Sequence, residues 1–396
     1  MDIAFDIDDP ILARAAWSRL AEPADRQAGA LVGAVGAVAA LRWLAGADPV
    51  AAPAAGPGGI GGGLEQVRER WRARLDGLDP RRELRALGRL GGHLMTPADP
   101  GWPDGLADLG SEAPFCLWVR ADQAPAEGLG EALRPAAAVV GSRAATAYGE
   151  MVTGAIASDL AGRGVAIISG GAFGIDAAAH RAALAEGGFT VAVMAGGVDR
   201  LYPAGNQRLL EAVVRQGAVI SELPPGAAPR RERFLARNRL IAALAQVTVV
   251  TEAGWRSGAQ RTAAVAAQLL RPVAAVPGPV SSASSAGCHK LIRQGLATLV
   301  TGADEVRELM APLGTVTLVE PAAAAGPLDG LAPPDRQVLD ALPLRQGAGL
   351  TALVASSGLS TPEVMAALSR LERCGRAVQS GGGWRKSRLF AQAAAR

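Results

Sequence analysis

The chain reads as an α/β protein built on a doubly wound parallel sheet, and three observations predict it. Seven short apolar runs recur between residues 136 and 301, at Ala136–Val140, Val165–Ser169, Thr190–Met194, Ala218–Ser221, Val247–Thr251, Val273–Val276 and Thr298–Thr301. Helical patterns fill most gaps between them, at 147–162, 175–186, 205–215, 235–245, 259–270 and 288–294. The runs do not alternate apolar with polar residues, as a parallel strand covered by helices on both faces requires. The loops after the runs are rich in Gly, Ser and Arg, and in an open parallel sheet those loops carry the ligand site.

The flanks read differently. Residues 11–45 place apolar side chains at helical spacing (Ile11, Leu12, Ala15, Ala16), which predicts two short helices. Residues 46–63 are a Gly/Pro/Ala segment, read as a linker or insertion, and charged helices follow at 64–75 and 81–90. An N-terminal helical domain over 1–90 is therefore expected, then a Pro-punctuated connecting segment over 91–135 that ends in the apolar run Phe115–Val119. The α/β domain spans 136–310, and an Ala/Pro-rich linker spans 311–330. In 331–396, helices are predicted near 333–342, 350–356 and 361–373, and Arg376–Phe390 offers two extended runs around Gly381-Gly382-Gly383. Three helices and a hairpin in that length outline a winged helix.

Charge is distributed unevenly although the net charge is only +3. Residues 1–140 carry a net −5, 141–302 a net +7, 303–330 a net −4 and 331–396 a net +5. Basic blocks in the middle and at the tail predict an anionic partner. Nearly all the cations are arginines, with Lys290 and Lys386 the two lysines. Cys116, Cys288 and Cys374 are isolated, without disulfide or zinc spacing. Asp2, Asp6, Asp8 and Asp9 make the start acidic, the opposite of a signal peptide. Ala30–Leu41 is too short to span a membrane. A cytoplasmic protein without membrane contact is expected.

The loop chemistry suits phosphate. SGGAFGID (169–176) follows a strand and opens a helix, where glycines let backbone N–H groups approach an anion and the helix N-terminus favours it. It is not a dinucleotide fingerprint: GxGxxG is missing from this loop, and no acid ends the run Thr190–Met194. GxxxxGK[ST] is missing as well. Arg230, Arg231, Arg233, Arg237 and Arg239 cluster within ten residues, and a guanidinium forks onto two phosphate oxygens. Phe173, Tyr202, Phe234 and Trp255 lie in or beside the same loops, with ring faces able to stack unpaired bases.

Catalytic machinery is not evident. His93, His180 and His289 have no ligand spacing, and the Cys288-His289 pair is too little for a metal. Asp176, Asp199, Glu222 and Glu252 stand singly at run ends, and Asp176 and Asp199 suit orienting arginines or capping helices. No cofactor, metal or catalytic residue is therefore predicted.

GSRAATAYG, SGGAFGIDAAAH, YPAGN, SELPPG, FLARNRLIAAL, EAGWRSGAQRTAAVAA, RPVAAVPGP and GCHKLIRQG occur in this order over about 136–302, and in this the chain resembles the DprA/Smf family. The resemblance implies an extended Rossmann domain that grips single-stranded DNA, a SAM-like N-terminal helical domain and a C-terminal winged helix. It also implies a homodimer that loads RecA recombinase onto incoming single strands during natural transformation. Carried over, the DNA-binding residues are Gly141, Ser142, Arg143, Ser169, Gly170, Gly174, Asp176, Phe234, Arg237, Asn238, Arg239, Ser257, Gly258 and Thr262. Two blocks depart from the family: Ala259-Gln260-Arg261 replaces part of SGSL-x-TA, and Cys288-His289 part of GTN-x-LI. Two competing readings stay open, a nucleotide-cleaving enzyme of the phosphoribohydrolase type, whose PGGxGTxxE signature is missing, and a partner-binding protein with a vestigial cleft.

Overall fold

The computed structural model describes residues 3–46, 64–123, 128–311, 331–344 and 346–387. The segment 46–63 and the linker 311–330 lie outside these residues apart from their first positions. The chain forms two compact units, Met1–Leu313 and Gly314–Arg396.

The first unit begins with helices α1 (Pro10–Leu20), α2 (Arg26–Val35) and α3 (Ala37–Ala45). Asp9 caps α1 by accepting from Ile11 N at 2.8 Å, and Pro10 at the first helical position has no N–H to lose. Gly36, at φ 84°, breaks the apolar stretch so that α2 and α3 bend by 111°, giving three helices where periodicity predicts two. Helices α4 (Leu64–Arg72) and α5 (Pro80–Gly88) complete the group. Trp17 and Trp71 meet edge to face at 5.3 Å in its core, beside Leu31, Leu41 and Leu44. The greasy stretch is thus core, and among the described residues no single helix is long and apolar enough to cross a membrane.

Strands β1 (His93–Met95) and β2 (Leu117–Arg120) and the short helix α6 (Leu129–Ala132) follow. The alternation then runs β3 (Ala136–Gly141), α7 (Ala147–Gly162), β4 (Ala166–Ser169), α8 (Ile175–Ala185), β5 (Thr190–Val193), α9 (Gln207–Gln216) and β6 (Ala218–Ser221). It continues with α10 (Arg231–Leu244), β7 (Val247–Glu252), α11 (Ala259–Gln268), β8 (Val273–Ala275), α12 (Ala286–Arg293), β9 (Thr298–Leu299) and α13 (Ala303–Met310). All seven apolar runs are strands of one sheet, ordered β1-β2-β6-β5-β4-β3-β7-β8-β9. β3 to β9 are parallel, whereas β2 pairs antiparallel with β6 and β1 with β2. The connecting segment therefore extends the sheet by two strands. Along β3, Ala136, Ala138 and Val140 face one core with Ile241 and Ala263, while Ala137 and Val139 face the other with Ile156 and Ala179. The order runs outward from β3 in one direction and from β7 in the other, so the topological switch point lies between them.

The second unit holds α14 (Pro333–Ala341), α15 (Leu350–Ser357), α16 (Thr361–Arg373), β10 (Ala377–Ser380) and β11 (Gly383–Lys386). Gly381 and Gly382, both at positive φ, turn β10 into β11. Val338, Leu339, Leu353, Val364, Leu368 and Leu371 form its own core. Arg370, itself half-buried, forks onto the buried Asp335, at 2.6 Å for its shortest contact.

Candidate nucleic-acid interface

A cleft of about 520 Å³ opens at the β3–β7 switch point. Gly141, Ser142, Arg143, Asp176, Arg237, Asn238, Ser257, Gly258 and Thr262 line it, so most of the sequence-predicted grip converges on one place. Backbone packing dictates the glycines. A Cβ on Gly141 would stand 2.5 Å from Ile175 Cγ1 and 2.6 Å from the Glu252 carbonyl. Gly174, at φ 72°, passes so close that a Cβ would strike the Ser142 and Arg143 carbonyls. Ser142 N donates to Glu252 O at 2.7 Å and Ile175 N to Ser142 O at 3.1 Å, which locks the loops after β3, β4 and β7 together. Helix α11 points its N-terminus at the cleft, with Gly258 at the N-cap and Ser257 Oγ accepting from Ala259 N at 3.3 Å, so the positive end of its dipole faces the cleft.

The arginine cluster divides. α10 starts at Arg231, four residues before the sequence-predicted start, and within it Arg237 and Arg239, two residues apart, face opposite ways. Arg237 lies under the cleft, 4% exposed, where Nη1 donates to Gly170 O at 2.8 Å and to Val193 O. Its Nη2 has no protein partner among the described residues. Burial pulls its pKa down to about 10, against the pull of Asp176, so it stays charged at neutral pH. Arg239 contradicts the expectation. It is 3% exposed and bidentate on Glu222, Nη1 to Oε1 at 2.7 Å and Nη2 to Oε2 at 2.6 Å, with Nε on Glu112 O at 2.9 Å. Nη1 also donates to Ala236 O at 3.2 Å, so four of its five N–H groups are engaged and Arg239 does not line the cleft. Arg233 is held by Glu22 at 3.0 Å, and Arg230 and Arg231 are exposed.

The remaining expected residues are placed around the cleft, outside its lining. Ser169 is buried and donates to Val139 O at 2.7 Å. Gly170 is buried against Arg237, and a Cβ there would enter the guanidinium. Phe234 is half-buried at the rim, 5.8 Å from Tyr202 and 5.1 Å below the Arg143 guanidinium. Arg256 lines the cleft, exposed, and sequence reasoning missed it. Its signal was its place, a cation directly before Ser257 in the loop after the switch-point strand.

The strand-end acids are engaged by protein groups. Asp176 accepts from Gly170 N at 3.1 Å and Ala172 N at 3.3 Å; burial raises its pKa, with Arg237 the main opposing influence. Asp199 accepts from Gly226 N at 2.9 Å. Glu252 accepts from Thr146 N at 2.9 Å and Thr146 Oγ1 at 2.7 Å, holding the residue that caps α7. His180 is buried with Nδ1 2.8 Å from Thr190 Oγ1. The Thr190 proton goes to Ile167 O, so the hydroxyl accepts from Nδ1–H and Nε2 is left bare. Burial holds the ring neutral, its pKa down to about 3. Cys116 and Cys288 are pushed up to about 12 by burial and are inert thiols.

A sequence profile of the DNA recombination-mediator protein A family matches residues 93–311. The chain is 46% identical, over 405 residues and 98% of each chain, to the putative DNA processing protein DprA of Mycobacterium tuberculosis. It is 35% identical to protein Smf of Synechocystis over 246 residues, 62% of this chain and 59% of that one. The X-ray structure of DNA processing protein A from Streptococcus pneumoniae aligns with a TM-score of 0.54 at 34% identity, covering 61% of this chain and 81% of that one. The near full-length identity and the profile match establish that the chain belongs to the DNA recombination-mediator protein A (DprA/Smf) family.

Proposed function

We propose that this protein binds single-stranded DNA by its phosphates, without catalysis, and acts as a recombination mediator. One observation carries the reading: Arg143, Arg237, Arg256 and the positive end of the α11 dipole converge on the switch-point cleft, while the acids beside it are engaged by the protein. Anion-binding groups remain available and, among the described residues lining the cleft, no free acid/base pair does, which favours retention of a strand over nucleotide cleavage. A cleft of about 520 Å³ suits an unpaired strand, and the exposed rings of Phe173 and Tyr202 suit bases that a duplex would keep stacked inside. The grip then comprises Gly141, Ser142, Arg143, Arg237, Asn238, Arg256, Ser257, Gly258 and Thr262, with Phe234 at the rim. Ser169, Gly170 and Gly174 shape it from behind, and Asp176 at its wall holds the loop after β4.

The family resemblance extends the proposal to a homodimer that loads RecA onto single strands in natural transformation, with the second unit an accessory winged helix. Titration with labelled single-stranded and duplex oligonucleotides tests the binding; preference for the single strand, with nucleotides left uncleaved, is expected. Strand exchange on DNA coated with single-strand-binding protein tests the mediator role. No gain by the host's RecA at any concentration of this protein would refute it.

A further inference from the structure

Aromatic side chains are few in this chain, and Trp17, Trp71 and Trp118 are fully buried. Among the described residues the exposed rings are those of Phe173, Tyr202 and Trp255, at 48%, 49% and 56%. All three stand in loops at the carboxyl edge of the sheet, after β4, β5 and β7. Leaving such rings in water forgoes burial that each would gain in a core. Their gathering on one edge points to a ligand with apolar faces. Phe173 and Tyr202 lie on the β4–β5 side with Phe234, whereas Trp255 is on the other bank and has no part in the grip described above.

The Trp255 loop is held in place. Gln260 Nε2 donates to both the Gly254 and Trp255 carbonyls at 2.8 Å, and Gly287 N donates to Ala253 O at 2.7 Å. Helix α12 is seated so tightly that a Cβ on Gly287 would stand 2.6 Å from Ala253 O and 2.7 Å from Gly254 O. That seating puts Lys290, one turn along α12, over the Trp255 ring with Nζ 5.3 Å from the centroid. The opposite bank repeats the arrangement, with Arg143 over Phe234 at 5.1 Å.

We propose that Trp255 and Lys290 form a second platform for one unpaired base and its phosphate, across the cleft from Phe234. The exposed part of the indole takes the base and the ammonium takes the phosphate. The strand then runs along the carboxyl edge from the Tyr202–Phe234 pair, over the cleft, to Trp255. β5 and β7 are three strand intervals apart, about 14 Å at the usual spacing, so both banks are engaged by an oligonucleotide and not by a mononucleotide. This inference rests on the single-stranded DNA reading of the cleft.

The test uses the full chain and oligothymidylates of roughly 4 to 16 nucleotides. Binding is followed by anisotropy of the labelled strand and by tryptophan emission, in which Trp255 is the exposed indole among the described residues. Long strands are expected to quench emission in the parent. Trp255→Ala is expected to weaken long-strand binding roughly 5- to 150-fold without changing its salt slope, and Trp255→Phe to restore most of it. Lys290→Gln is expected to lower the magnitude of the slope by about 0.7. Phe234→Ala is expected to weaken short and long strands alike, Trp255→Ala long strands only. If Trp255→Ala binds long strands as the parent does while Arg143→Ala does not, the second platform is refuted and the cleft reading stands. If the parent binds no single strand, the cleft reading itself fails.

Discussion

Arg239→Ala separates the architecture of α10 from its binding role. Arg239 and Glu222 are 3% and 8% exposed, with two charge-assisted bonds of 2.7 and 2.6 Å between them. Removing the guanidinium strands a buried carboxylate, a loss of about 3–5 kcal/mol. It also frees the Glu112 carbonyl that Arg239 Nε satisfies. Native stability is about 5–15 kcal/mol in total, so the variant is left marginal. At about 2 °C per kcal/mol for a large unit, Tm should fall by roughly 6–10 °C. Arg239→Met with Glu222→Leu should recover most of the loss, because no charge is then stranded, but not all, because the Glu112 carbonyl stays unpaired. The assay is urea and thermal unfolding, paired with single-strand binding at a temperature where the variant is folded. A variant as stable as the parent, with one phosphate contact missing from its salt slope, would refute the buried-pair assignment and return Arg239 to the interface.

Three further outcomes are expected. Arg143 is exposed at the cleft, so Arg143→Ala should weaken binding for every sequence and lower the magnitude of the salt slope by about 0.7, whereas Phe234→Ala should cost about 1–3 kcal/mol with the slope kept, both read from titrations at several salt concentrations. His180 has a folded-state pKa of about 3 against an ordinary 6.5, so its contribution is complete above pH 6.5 and is lost as pH falls toward 3, by up to about 1.4 kcal/mol per unit. Urea midpoints between pH 7 and 4 should show this slope in the parent and a shallower one in His180→Gln. A chain ending at Leu313 should keep single-strand affinity within about tenfold, since the second unit has its own core and Arg370 is tied to Asp335; a larger loss in a direct titration would make that unit a primary site.

Much of the sheet is legible in the sequence because strands covered on both faces must be uninterrupted apolar runs, and helices between them keep their own period. β1 and β2 are harder to see. They are three and four residues long, at one edge, in a Pro-punctuated segment, and their pairing with β6 joins positions about a hundred residues apart. The glycine turns and Arg143 are legible because a phosphate site in an open α/β sheet has a fixed address. The division of the arginines is not, since Glu22 and Glu222 select Arg233 and Arg239 through contacts that only the fold creates. Helix geometry by itself separates the pair: residues two apart on a helix face opposite sides, and the helical pattern at 235–245 already contains both Arg237 and Arg239.

The central claim is a phosphate-gripping cleft for single strands, and the salt dependence of binding tests it most directly. With the full chain and a mixed-sequence single strand, log Kobs against log salt should be linear with a slope of about −3 to −4, as four to six neutralised phosphates at about 0.7 each require. The slope should be the same for strands of different sequence, and a duplex of equal length should bind more weakly at every salt concentration. A slope near zero, or a duplex bound as tightly as the single strand, would contradict the account.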